Sequence, residues 1–71
     1  MNNNQKVVLS WLKNRQSENE ESPLLTLSNF GWMHFGNELP DDVERAYKKM
    51  NKTEDYEVMG EFVRLGLEEC K

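Results

Sequence analysis

The sequence contains one cysteine, Cys70, and one histidine, His34. A single cysteine cannot form a disulfide within the chain, and its isolation is typical of a protein from a reducing compartment. A structural zinc site needs about four ligands, which this pair of residues cannot supply. Glycine-rich phosphate loops and the ligand spacing of a calcium-binding loop are also absent. We therefore expect neither a metal site nor a cofactor.

Long apolar runs and an excess of basic residues are missing as well. No run approaches the roughly 20 residues that span a bilayer, and the polar start of the chain does not predict a signal or transit peptide. Thirteen acidic and nine basic residues give a net charge of −4, which repels nucleic-acid phosphates and anionic membranes. We expect a cytoplasmic protein that binds no membrane and does not bind nucleic acid directly.

The residues that could perform catalysis lack the neighbours that catalysis requires. A catalytic histidine needs an orienting carboxylate and a reacting group, but His34 lies in an aromatic stretch whose nearest acid is Glu38. Cys70 follows Glu68 and Glu69 near a helix end, where negative charge disfavours the reactive thiolate. These observations predict no catalytic residue and a protein that is not an enzyme.

Apolar spacing predicts three helices in a mainly α-helical small bundle. Residues 4–15 carry Val8 and Leu12 on one face, with Asn3 or Asn4 as the N-cap. Residues 40–51 and 53–70 form a C-terminal αα-hairpin, the second helix beginning at an N-cap on Thr53. The last helix is apolar over a wide arc, so we expect it to lie between the other helices or to be shared with another molecule.

Two segments are harder to interpret. Residues 16–22 contain no apolar side chain and predict a flexible linker within a single domain, 1–71. Residues 24–35 fit either an irregular helix, with Ser22 and Pro23 at its start and Gly36 at its end, or a β-hairpin. We favour the helix, because an isolated two-stranded hairpin is rarely stable.

The apolar stripes give an expected core and leave one group of residues without a clear period. The core prediction comprises Val8, Trp11, Leu12, Leu25, Leu27, Val43, Tyr47, Met50, Tyr56, Met59, Phe62, Val63 and Leu67. Trp32, Met33 and Phe35 fall in the irregular segment. Because aromatic residues dominate interface hot spots, these three are the candidate partner-binding residues.

Two functions remain open from the residues alone. The first is a non-enzymatic factor that binds a protein of unknown identity, with a homodimer as a further possibility. The second is an acidic inhibitor whose carboxylates imitate nucleic-acid phosphates in the cleft of a nucleic-acid-binding enzyme. The interleaving of acids with bases favours ordinary solvated helix faces over such imitation.

Several stretches resemble a group of small, uncharacterised, acidic proteins of Gram-positive phages and prophages. They are VVLSWLK at 7–13, ELPDDV at 38–43, AY at 46–47, YEVMGEF at 56–62 and LGLEE at 65–69. The resemblance leaves residues 16–36 uncovered. It implies an accessory protein made inside a bacterial host cell, and it supplies no activity and no site residues.

Overall fold

The computed structural model describes residues 1–69, which form four α-helices and no strand. Helix α1 spans Asn3–Asn19, α2 Pro23–Phe35, α3 Asp41–Lys48 and α4 Lys52–Glu69. The prediction of a mainly α-helical small bundle is confirmed, and residues 24–35 are helical rather than a β-hairpin. Cys70, predicted at the end of the last helix, lies outside the described residues.

Reciprocal side-chain caps determine where α1 and α4 begin. The Asn2 side chain accepts a hydrogen bond from the Gln5 backbone N–H at 2.9 Å, and the Gln5 side chain accepts one from the Asn2 N–H at 2.9 Å. Asn51 and Glu54 form the same pair of bonds, at 3.0 and 2.8 Å. The predicted caps at Asn3, Asn4 and Thr53 were wrong, because only Asn2 and Asn51 have Gln or Glu three residues later with this geometry.

The boundaries of α2 follow the sequence signals, whereas α1 runs further than predicted. Ser22 accepts a bond from the Leu25 N–H and Pro23 begins α2, as predicted, and the helix stops at Gly36. Helix α1 continues through residues 16–19 and ends at Glu20, which adopts a left-handed φ of 52°. The predicted linker is therefore reduced to residues 20–22, because polar side chains without Gly or Pro do not interrupt a helix.

Helix α1 is the central element of the bundle, since each of the other three helices packs against it. Its buried row consists of Gln5, Val8 and Leu12, each at most 3% exposed. The prediction that the last helix lies between the others is wrong. Helix α4 packs principally on α1 and buries only Val58 and Phe62, because no other helix covers its second side.

The core is consequently smaller than the predicted one. Trp11, Leu27, Tyr47 and Met50 are half-buried against it, while Leu25, Tyr56, Met59, Val63 and Leu67 are exposed. Leu39, Ala46 and Val58 are buried although they were not predicted. Four of the five exposed residues, Tyr56, Met59, Val63 and Leu67, lie on the outer side of α4.

Aromatic edge contacts join α1, α2 and α3. The Phe30 ring meets Trp11 at a centroid distance of 5.5 Å and Tyr47 at 5.1 Å, both nearly perpendicular. His34 meets Tyr47 in the same geometry at 5.0 Å. Such pairs stabilise by about 0.5–1.5 kcal/mol beyond their buried area, so they fix α2 against its two neighbours.

Two phenylalanines offer a matched test of this core. Phe62→Ala should lower the free energy of unfolding by about 3–5 kcal/mol, because the ring is 2% exposed. Phe35→Ala should change it by less than about 0.5 kcal/mol, because that ring is 84% exposed. Urea unfolding followed by circular dichroism measures both, and equal losses would contradict the described packing.

The cap of α4 gives a second comparison. Asn51→Ala should lower the free energy of unfolding by about 1 kcal/mol, because the orphan N–H of Glu54 loses its acceptor. Thr53→Ala should leave it nearly unchanged. Thermal unfolding of both variants distinguishes the observed cap from the predicted one, and a larger effect at Thr53 would reverse the assignment.

Candidate protein-binding surface

The single histidine is used to fasten α2 to α3. Its Nδ1 lies 2.9 Å from a carboxylate oxygen of Glu44, which also lies 3.7 Å from the Lys48 ammonium group. One edge of the imidazole rests on Tyr47. Within residues 1–69, no group of three or more histidine, cysteine, aspartate or glutamate side chains is placed to hold a metal ion. The arrangement supplies a polar contact between α2 and α3 rather than a nucleophile with its base.

A polar cluster around Glu21 fixes the start of α2 on α1. The carboxylate accepts hydrogen bonds from Arg15 at 3.3 and 3.4 Å, from Thr26 at 3.1 Å and from Asn29 at 2.6 Å. The Arg15 hydrogen bonds hold the pKa of Glu21 below its ordinary value of 4.5. Because Thr26 is fully buried, this cluster determines which side of α2 faces outward.

The outward side of α2 carries large apolar side chains around Ser28 and has no charge. We call Leu24, Leu25, Trp32 and Phe35 the α2 face; their exposed fractions are 78, 57, 75 and 84%. At 100° per residue they fall on one side of the helix, opposite Thr26 and Met33. Apart from His34, α2 contains no ionisable side chain. The face therefore offers a partner large apolar groups without a competing charge.

The predicted binding residues do not all share this face. Trp32 and Phe35 project from it, but Met33 packs toward the core and its sulfur accepts a hydrogen bond from Arg15 at 3.7 Å. Leu24 and Leu25 belong to the face and were not predicted for it. Consecutive side chains of a helix point about 100° apart, so the helix that was favoured for this segment already separates Met33 from Trp32.

Helix α4 has a second exposed apolar row. Tyr56, Met59, Val63 and Leu67, here called the α4 stripe, are between 41 and 68% exposed. The spacing of three and four residues keeps them on one side of the helix. Glu61 and Glu68 lie beyond the stripe and both pair with Arg64. The polar flank is thus held by ion pairs within one helix.

An apolar groove of about 320 Å³ lies between α2 and α4. Val8 and Leu12 of α1 form its floor. Helix α2 contributes Leu27, Phe30 and Gly31 to one wall, and α4 contributes Asp55, Val58 and Met59 to the other. Tyr47 and Met50 complete the lining. Asp55 is the one carboxylate in this lining. Burial, and secondarily the charge of Glu54, raises its pKa. The groove is therefore suited to apolar groups.

Comparison with known proteins adds no assignment: the chain matches no protein family, no curated protein and no solved structure. Within residues 1–69, none of the helices has the length and apolar character required to cross a membrane. The character of the surface is therefore inferred from the residues of this chain alone.

The Glu21 cluster predicts a specific loss of stability in acid. A carboxyl whose folded pKa is depressed stabilises the fold above its unfolded pKa and loses that contribution as pH falls through the folded value. Glu21→Gln should therefore be less stable than the wild type at pH 7, and the difference should shrink below pH 4.5. Urea unfolding across this pH range measures it. Glu20→Gln is the control, and a gap that stays constant with pH would refute the coupling.

Proposed function

We propose that this protein is a non-enzymatic accessory factor of a phage or prophage that acts inside the bacterial cell by binding a host or phage protein. The observation that carries the proposal is the α2 face. A chain that buries seven hydrophobic side chains in its core leaves two aromatic and two aliphatic side chains of one helix in solvent.

The size of the exposed apolar surface supports binding. An aromatic side chain can bury about 150–250 Å², so Trp32 and Phe35, which are 75 and 84% exposed, together present an area on the order of 300 Å². The largest apolar patch of a typical monomer is roughly 300–600 Å² and is often functional. Tryptophan is also enriched among residues that dominate binding energy.

The biological setting of the proposal comes from the sequence resemblance. The matching stretches contribute Val8 and Leu12 to the core, together with Val43, Ala46 and Phe62. They lie outside α2, so the α2 face belongs to the part of the chain that the resemblance leaves uncovered. A shared scaffold with its own binding helix would suit accessory proteins that take different partners.

The acidic-inhibitor alternative receives less support from the positions of the carboxylates. Glu21 pairs with Arg15 and Glu61 with Arg64, and the Glu44 carboxylate is within hydrogen-bond distance of His34. Carboxylates that imitate phosphates must instead face a basic cleft. The homodimer remains a prediction, and it would compete with a foreign partner for the same apolar surfaces.

Removing the two aromatic anchors of the α2 face tests the proposal. Trp32→Ala combined with Phe35→Ala should leave the circular dichroism and unfolding midpoint nearly unchanged, because both rings are exposed. The variant should bind the partner at least roughly 30-fold more weakly, since a hot spot contributes about 2 kcal/mol or more. Capture from extracts of a Gram-positive host identifies the partner, and titration calorimetry with the purified partner measures the loss.

Ser10→Ala with Asn14→Ala, exposed on α1, is the matched control and should retain full affinity. If the folded aromatic variant binds every captured protein as the wild type does, the α2 face is not the binding surface. If neutralising Asp41 and Asp42 to Asn abolishes binding while the aromatic variant retains it, the acidic alternative replaces the proposal.

A further inference from the structure

Helix α2 supplies none of the buried hydrophobic side chains in residues 1–69. The seven that are buried lie on α1, α3 and α4 and at Leu39, which precedes α3. The one fully buried side chain of α2 is Thr26, which is polar. Leu27, Phe30 and Met33 pack against the core but are only partly buried. Helix α2 therefore covers the core without forming its centre.

Helix α2 also has the least extensive packing of the three helices that surround α1. Helix α1 contacts α3 and α4 over more of their length than it contacts α2. Contact with α3 is made by side chains, among them the ring edges of Phe30 and His34 on Tyr47. The groove of about 320 Å³ separates α2 from α4. The backbone of α2 consequently has one close neighbour.

The connectors on the two sides of α2 each contain a residue with left-handed backbone. Glu20, with φ of 52°, and Asn37, with φ of 56°, are the two residues of the described chain with positive φ other than glycine. A left-handed residue ends the helical register, so α2 is not continuous with α1 or α3. Leu39 is buried and fixes the far end of the second connector. Rotation within residues 20–22 and 36–38 would therefore move α2 alone, and hinges are commonly a few loop residues of this kind.

Polar contacts at its two ends hold α2 in place. At the N-terminal end, the Glu21 carboxylate accepts hydrogen bonds from Asn29 of α2 and from Arg15 of α1. At the C-terminal end, Nδ1 of His34 lies 2.9 Å from a carboxylate oxygen of Glu44 on α3. Because water can replace such hydrogen bonds when the partners separate, breaking them has a modest net cost.

We propose that α2 is a hinged cover, which moves away from α1, α3 and α4 as one body while those three helices stay folded. Local opening of this kind is expected where an element has few buried apolar contacts. The open form adds Leu27, Phe30 and Met33 to the apolar surface of the α2 face and uncovers the groove floor at Leu12. The inference rests on the packing of the fold and is independent of the proposed function.

The competing possibility is that α2 separates only when the whole chain unfolds, as in an ordinary two-state domain. The two cases differ in the residues that control the exposure of α2. If α2 opens alone, contacts between α1 and α4 persist in the open form and do not affect opening. If opening is global, every core contact affects α2 and the other helices equally.

Native-state hydrogen exchange followed by NMR distinguishes these cases. In the wild type, the amides of Phe30 and Met33 should have similar protection factors, at least tenfold lower than that of Leu12 in α1. Low concentrations of urea should lower the protection of Leu12 more steeply, because global unfolding exposes more surface than the opening of one helix.

Two phenylalanines supply matched variants. Phe62→Leu loosens the packing of α4, so it should lower the protection of Leu12 about fivefold and leave that of Met33 within twofold. Phe30→Leu removes the ring contacts with Trp11 and Tyr47, so it should lower the protection of Met33 at least fivefold. The protection of Leu12 should fall by no more than the same factor, because global unfolding also separates α2.

Either of two results would overturn the inference. In the first, the protection of Met33 falls in step with that of Leu12 in Phe62→Leu, so α2 separates only by global unfolding. In the second, protection within α2 declines gradually toward Pro23 and Phe35, which indicates fraying from the ends rather than movement as one body.

Discussion

The structure depends on the burial of one row of α1. Gln5, Val8 and Leu12 occupy successive turns of that helix, and the remaining helices are arranged around it. Gln5 has a double role, because its side chain closes the cap at Asn2 and donates hydrogen bonds to the Glu54 carbonyl and the Glu57 carboxylate of α4. The start of the first helix and the start of the last are therefore fixed by one buried amide. Leu12 and Phe62 extend the contact between these helices as apolar packing.

A central helix of modest hydrophobicity explains why so much apolar surface stays outside. A small domain buries a limited share of its surface, and here the scarce covering elements all lie on α1. Helix α2 contacts α1 and α3, and helix α4 packs principally on α1, so each of them keeps one uncovered side. The result has Cα extents of 33 × 24 × 16 Å, a flattened arrangement whose open side carries the groove. The exposed apolar surface and the small core are thus two consequences of the same packing.

Sequence patterns identified the helices well and their environments poorly. Local signals such as Ser22-Pro23 and Gly36 act within a few residues, so the bounds of α2 could be predicted from them. The sides of α4 could not, because periodicity shows that Tyr56 and Val63 share a face with Met59 but not whether a neighbour covers that face. Trp32 and Phe35 were identified as interface candidates by their chemistry. The groove depends on long-range packing between α1, α2 and α4 and has no signal in any single segment.

The lack of charge on α2 has a consequence for the colloidal behaviour of the protein. The net negative charge that opposes contact between molecules resides largely on α4, and the net charge of the protein falls to zero near the isoelectric point of about 4.9, where the remaining carboxylates balance the basic residues. Under those conditions nothing on Leu24, Leu25, Trp32 or Phe35 opposes contact between neighbouring α2 helices. In the absence of a partner, mild acidification should therefore precipitate the protein while it is still folded. The apolar α2 face limits the solubility, and the charge of α4 maintains it at neutral pH.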